Sequence, residues 1–216
     1  MTVLPIANRL KIAGHKKIAI AQDLLVVSLY SYFQDAVIHG GTSMWRCYGG
    51  NRFSEDIDVY LDPKYKGVDF TGFIRDLERA GLKQIKFKKS DTSIFSVFSY
   101  DREFVSFEAV FKRAKGTPIK YEMSDGTFIF VRTLTPKELM QEKIVTYRNR
   151  EKVRDLYDLY FLSGLVEKDE ELQKGIRTLI SKFVAPVDAG SLPSLILAGA
   201  IPTIKEMLER LSLWAK

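Results

Sequence analysis

The chain changes its hydrophobic period once, and that change limits the folds open to it. Up to Leu134 short apolar runs alternate with turn residues; from Thr135 onward nearly every segment has helical spacing. Thr135-Pro136-Lys137-Glu138 marks the switch. It offers a threonine to cap a helix, a proline where the first helical N–H lacks a partner anyway, and an acid in the first turn. Helices are expected over 136–150, 152–163, 169–183 and roughly 202–214. Upstream, strand patterns cover 36–39, 57–61, 84–88, 94–100, 104–111 and 127–132. Asp101-Arg102 and Ser124-Asp125-Gly126 read as hairpin turns. Helical spacing returns over 23–33 and 69–80, the second stopped by Gly81. The fold class is therefore α+β: a strand-bearing lobe over 1–134 and a helical lobe over 135–216.

Composition removes several classes of function. With 46% hydrophobic and 28% charged residues the chain reads as globular rather than disordered or collagen-like. The most apolar stretch, Ile18 to Phe33, is broken by Gln22 and Asp23, so no membrane span is expected. The first residues carry no long apolar core of a secretory signal, and a single cysteine, Cys47, precludes an internal disulfide. Two histidines and one cysteine do not assemble a zinc cluster. A cytoplasmic, reducing setting is the expectation.

Chemistry concentrates between His39 and Asp62, in HGGTSMWRCYGGNRFSEDIDVYLD. A strand ends at Gly40-Gly41, Thr42 is placed to cap a short helix running to Tyr48, and Gly49-Gly50-Asn51 ends it. Ile57, Val59 and Leu61 then alternate with Asp56, Asp58 and Tyr60. That period puts the carboxylates of Asp56 and Asp58 on one face, their Cα atoms roughly 6–7 Å apart. Two such carboxylates repel unless a cation lies between them, and hard cations such as Mg²⁺ prefer oxygen donors. Lacking Cβ atoms, Gly40 and Gly41 let backbone N–H groups approach a phosphate at a helix N-terminus. A lone Asp-x-Asp is commonly a solvated face and a lone Gly-Gly a turn; the two in this order are the informative feature.

The segment resembles the DNA polymerase β-like nucleotidyltransferase superfamily, and more closely the AbiEii/AbiGii-type toxin nucleotidyltransferases, through GGTSMWRCYGGNRFSEDIDV. A second block, LTPKELMQEKIVTYRNREKVRDLYDLY over Leu134–Tyr160, is similar to that family's downstream helix pair. The family's usual Leu-Arg-Leu after Gly-Gly-Thr is replaced here by Ser43-Met44-Trp45-Arg46. The resemblance implies a polymerase β-like lobe with a mixed sheet, and an NTP between the lobes with its triphosphate on Gly40, Gly41, Thr42 and Ser54. It implies Mg²⁺ or Mn²⁺ on Asp56 and Asp58, Lys143 as a phosphate clamp, and Asp155 in or beside the site. The implied reaction moves an NMP to an acceptor hydroxyl, in some members the 3′ end of tRNA, by a toxin with a cognate antitoxin.

Some roles stay open. Glu108, within FVSFEAVF, is either a third carboxylate facing the site, as metal ligand or base, or an edge-strand acid paired with Lys or Arg. Lys143 alone reads as a helical lysine with a partly covered stem. Asp155 and Asp158 share a helix face, and for Asp158 ion pairing to Arg148, Arg150 or Arg154 is the simpler reading. Cys47 has no partner base, and His39 is a strand-end residue. The net charge of +6 with basic clusters at 83–89, 112–120 and 143–154 suits an RNA backbone, although each cluster alone is explained as a solvated face. A binding module without turnover, or nucleotidylation of a protein or small molecule, stands as the alternative.

Overall fold

The structure is a computed structural model that describes residues 5–216. The chain divides into two units: one runs through Gly49 and resumes over Phe53–Leu134, the other comprises Gly50–Arg52 and Thr135–Lys216. Among the described residues no helix is long and apolar enough to cross a membrane.

The first unit is built on one mixed sheet of seven strands. In chain order its elements are α1 (Ile6–Arg9), α2 (Ala13–Tyr32), β1 (Val37–His39), α3 (Gly40–Tyr48), β2 (Ile57–Leu61), α4 (Thr71–Arg79), β3 (Lys83–Lys89), β4 (Ser93–Tyr100), β5 (Glu103–Phe111), β6 (Thr117–Glu122) and β7 (Phe128–Thr133). The spatial order is β3-β4-β5-β2-β1-β7-β6. β2 runs parallel to β5 and antiparallel to β1, and β1 runs parallel to β7. Alternation sets which face is dry: Ile57, Val59 and Leu61 of β2 are fully buried with Phe107 and Ala109 of β5 and Ile94 of β4. Leu25, Val26 and Leu29 of α2 and Phe73 and Leu77 of α4 complete that core. Where α2 ends, the Phe33 ring packs against Phe70 and Tyr65, centroids 5.1 and 5.0 Å apart.

The turns follow their residues. Asp101 and Arg102 both have positive φ (46° and 71°), the mirror-image turn that matches strand twist, and Gly126 takes φ 87° between β6 and β7. Two expectations differ. α2 begins ten residues before Asp23, at Ala13, because Gln22 and Asp23 are buried within it rather than marking its start. β6 was not legible because Pro118 interrupts its pattern; it is an edge strand, where a missing N–H costs no ladder bond. Asp23 itself receives Arg46 Nη2 at 2.8 Å and the Ser124 amide at 2.7 Å, which satisfies a carboxylate inside the core.

The second unit is helical: α5 (Pro136–Arg150), α6 (Val153–Leu162), α7 (Glu170–Ser181), α8 (Leu192–Leu195) and α9 (Ile204–Trp214). Thr135 and Glu138 form a complete capping box at the start of α5, with Pro136 in the first turn. Thr203 and Glu206 repeat the device on α9. Leu139, Ile144, Leu156, Leu159, Ile176, Leu179, Met207 and Leu211 are buried.

Candidate active site

β1 ends at His39 and the chain enters α3 at Gly40, whose φ is +69°. The helix therefore starts at Gly40 with His39 at its N-cap, and Thr42 lies inside its first turn rather than capping it. The reason is spatial. A Cβ on Gly40 would stand 2.5 Å from Asp58 Oδ2, so glycine both adopts the left-handed backbone and makes room for the acid. Thr42 is fully buried, and its hydroxyl donates to the Asp56 carbonyl at 2.5 Å. The glycine turn is thus tied to the strand that carries the acids. Nearby, Gln22 Nε2 donates to the Ser54 carbonyl at 2.8 Å. Ser43, one residue on, shares a buried hydroxyl–hydroxyl hydrogen bond with Thr133 of β7.

On β2 the half-buried Asp58 pairs in register with His39 of β1 on one side and Glu108 of β5 on the other. In-register residues share a face, so His39, Asp58 and Glu108 form one polar row across three strands, opposite the dry face. Asp56, two residues before Asp58, is also half-buried. The edge-strand reading of Glu108 is corrected: β5 lies between β4 and β2, so its acid is exposed on an interior strand. The His39 ring stacks on Tyr60, centroids 3.9 Å apart and planes 9° from parallel.

Among the described residues no three His, Cys, Asp or Glu side chains converge to hold a metal ion by themselves. Asp56 and Asp58 nevertheless fit a divalent cation. Mg²⁺ is commonly bound by one or two carboxylates, its remaining positions taken by water and substrate phosphate, and these are hard oxygen donors beside a turn with no Cβ in the way. Cys47 is excluded as a nucleophile, because burial pushes its thiol up to about 12.

The downstream block forms a separate constellation within the helical unit. Lys143 Nζ lies 2.8 Å from Asp155 Oδ1 and 2.7 Å from Asp158 Oδ2. Arg52 makes a bidentate pair with Asp158, at 2.8 and 3.0 Å, and Arg150 one with Asp155, at 2.7 and 2.9 Å. Asp155 is 0% exposed, Asp158 3% and Lys143 6%. Burial by itself would raise the Asp155 carboxyl, but the Arg150 hydrogen bonds and the Lys143 charge outweigh it and hold it at about 2. Asp158 is lowered in the same way, burial being outweighed by Arg52 and Lys143. Ion pairing of Asp158 was expected, but to Arg148, Arg150 or Arg154; its partners are Arg52 and Lys143. Arg52 belongs to the quoted GGTSMWRCYGGNRFSEDIDV block but carries no role in the sequence expectations. Its only sequence signal was a basic residue just before Phe53-Ser54, and its partner lies over a hundred positions away.

Of the basic clusters, Lys83, Lys86, Lys88 and Lys89 lie on β3, an edge strand, where lysines commonly block pairing with other chains. Lys112, Arg113 and Lys115 occupy the loop after β5.

A family model described as nucleotidyl transferase AbiEii toxin, type IV toxin–antitoxin system, matches residues 23–198, and the protein is accordingly a nucleotidyltransferase. The chain belongs to the AbiEii toxin family. A comparison with curated proteins found no match.

Proposed function

We propose that the enzyme, on a polymerase β-like lobe, transfers a nucleoside monophosphate from an NTP to a hydroxyl at the 3′ end of tRNA, as the toxin partnered by a cognate antitoxin. The observation that carries this reading is the Asp56–Asp58 strand packed against the Gly40 turn, so close that a single Cβ would collide with Asp58. Asp56 and Asp58 would hold Mg²⁺ or Mn²⁺. When bound, such a cation neutralises phosphate charge and acidifies a nearby hydroxyl.

The protein's own groups do the rest. The backbone N–H groups of Gly40 and Gly41, at the start of α3, receive the triphosphate. The acceptor oxygen attacks the α-phosphorus, the bond from that phosphorus to the bridging oxygen breaks, and pyrophosphate leaves. Glu108, in register with Asp58, takes the hydroxyl proton. Thr42 keeps turn and strand in step through the Asp56 carbonyl. Lys143 and Asp155 serve this reaction by fixing α5 against α6, since both are spent on ion pairs within that unit. An NTP- and tRNA-dependent reaction belongs in the cytoplasm.

The test is incorporation of each α-³²P-labelled NTP into total tRNA with Mg²⁺, beside Asp56→Asn and Asp58→Asn proteins. Label in tRNA that disappears in both variants is the expected result. Label in protein instead of RNA would overturn the acceptor, and label unchanged in the variants would overturn the site.

A further inference from the structure

β2 continues past the acids, and the same face leads into a pocket. Tyr60 and Asp62 follow Asp58 at alternate positions, and with Lys112, Arg113, Lys115 and Arg132 they line a cavity of about 420 Å³. Four cations meet two acids there, the second being Asp35. Both acids are already matched: Asp62 by Arg113 at 3.4 Å, and Asp35 by Lys64 and by the Tyr65 hydroxyl at 2.6 Å. The pocket therefore presents a net positive charge.

Two of these cations are also held in place. Lys112 Nζ lies 4.3 Å from the centre of the Tyr60 ring, the ring on which His39 stacks. Arg132 Nη1 donates to the Gly116 carbonyl at 3.2 Å. Gly116 is pressed so closely on β1 and β7 that a Cβ would lie 2.8 Å from both Val37 and Arg132 side chains. The loop is thereby fixed to the sheet at Gly116, with Lys112 and Arg132 placed before any ligand arrives.

We infer that this pocket is a phosphodiester subsite for the acceptor RNA, set along β2 about 7–13 Å from Asp58, so that the strand's terminal hydroxyl reaches Asp56 and Asp58 while a phosphate a nucleotide or two upstream sits among Lys112, Lys115 and Arg132. Only the direction of the strand rests on the proposed function; binding of the phosphate does not. An acidic protein surface offers charge as well, but the pocket is concave and continuous with the acid strand, which suits a strand ending at that site.

The test uses the full chain and a short 5′-fluorescein oligoribonucleotide, read by anisotropy over a salt series without turnover. Lys112→Gln/Lys115→Gln is compared with Lys83→Gln/Lys86→Gln on β3, both surface pairs whose folding is checked by thermal melting. The pocket pair is expected to weaken RNA binding about tenfold or more and to reduce the slope of log K against log salt by about 0.7, one single-strand phosphate contact. The β3 pair should stay within about twofold, and dialysis of the four NTPs should show unchanged affinity. Equal loss in both pairs, or none in the pocket pair, would overturn the assignment. Loss of NTP affinity would give the phosphate to the nucleotide, and polyglutamate binding as tightly as RNA would give the pocket to an acidic protein; either overturns it. If Asp56→Asn retained incorporation, the catalytic reading would fail while this binding result stayed readable.

Discussion

Replacing Gly40 by alanine separates the cost of a strained backbone from the cost of displacing Asp58, because α3 carries a built-in control at its other end. Gly40 and Gly49 have nearly the same φ, +69° and +70°. A Cβ at Gly49 meets nothing within 4 Å, whereas one at Gly40 stands 2.5 Å from Asp58 Oδ2. Left-handed backbone costs a non-glycine residue about 1–2 kcal/mol, so Gly49→Ala should lower stability by about that much and the melting temperature by roughly 2–8 °C. Gly40→Ala bears the same strain and an overpacking cost of about 1–3 kcal/mol. Ordinary contact with a Cβ begins near 3.4 Å, so the Asp58 carboxylate must retreat by about 0.9 Å. Misplacement on that scale costs catalysis about a hundredfold. The assay is label incorporation from an α-³²P NTP at a temperature where melting curves show both variants folded. Gly49→Ala should stay within a few-fold of the parent, with Gly40→Ala about a hundredfold lower. Equal activity in the two would refute the reasoning, because the contact with Asp58 would then have no bearing on the chemistry.

Further expectations concern the ties behind the site and the buried ion pairs. Thr42→Val removes the hydroxyl from the Asp56 carbonyl and should cost about 1–2 kcal/mol with a drop in incorporation, while Thr42→Ser retains both; melting and label incorporation check this together. Lys143→Met leaves Asp155 and Asp158 facing each other with one cation fewer, and should cost about 3–5 kcal/mol in chemical denaturation; a loss under 1 kcal/mol would contradict the buried network. The Asp155 carboxyl titrates near 2 when folded against an unfolded value of 3.8, a depressed group. Its stabilisation, about 2 kcal/mol, is therefore complete above pH 4 and lost as pH falls from about 4 to 2. Trp214 fluorescence in a Trp45→Phe protein follows that loss in the helical unit, and stability flat across the window would contradict the pairing.

Local chemistry was legible in the sequence, and long-range partnership was not. The alternation that buries Ile57, Val59 and Leu61 also announced that Asp58 lies on the opposite face, because both follow from the two-residue period of a strand. The capping box at Thr135 was readable for the same reason: its bonds span three residues. Glu108 stayed ambiguous because its meaning depends on strand order. That β5 lies beside β2 and not at an edge is decided by packing across fifty positions. Thr42 was misplaced as a cap because the collision that excludes a Cβ at Gly40 comes from Asp58, eighteen residues on. Lys143, Asp155 and Asp158 were singled out, but the guanidinium of Arg52 that completes their pairs arrives from the other side of β2 in the chain.

The acid strand shows why site and fold are constrained together here. A one-residue slip of β2 would carry Asp58 into the core and Val59 to solvent, since every side chain on a strand changes face with such a shift. Burying a charge there without a partner costs far more than the exposed valine. The register that folds the sheet is thus the register that lines Asp58 up with Glu108 and His39. Thr42 reinforces it through the Asp56 carbonyl, so backbone pairing and one buried hydroxyl both help to set where Asp58 stands. For the proposed reaction, which depends on where a carboxylate stands relative to a phosphate, that register sets the place of Asp58 before a nucleotide arrives.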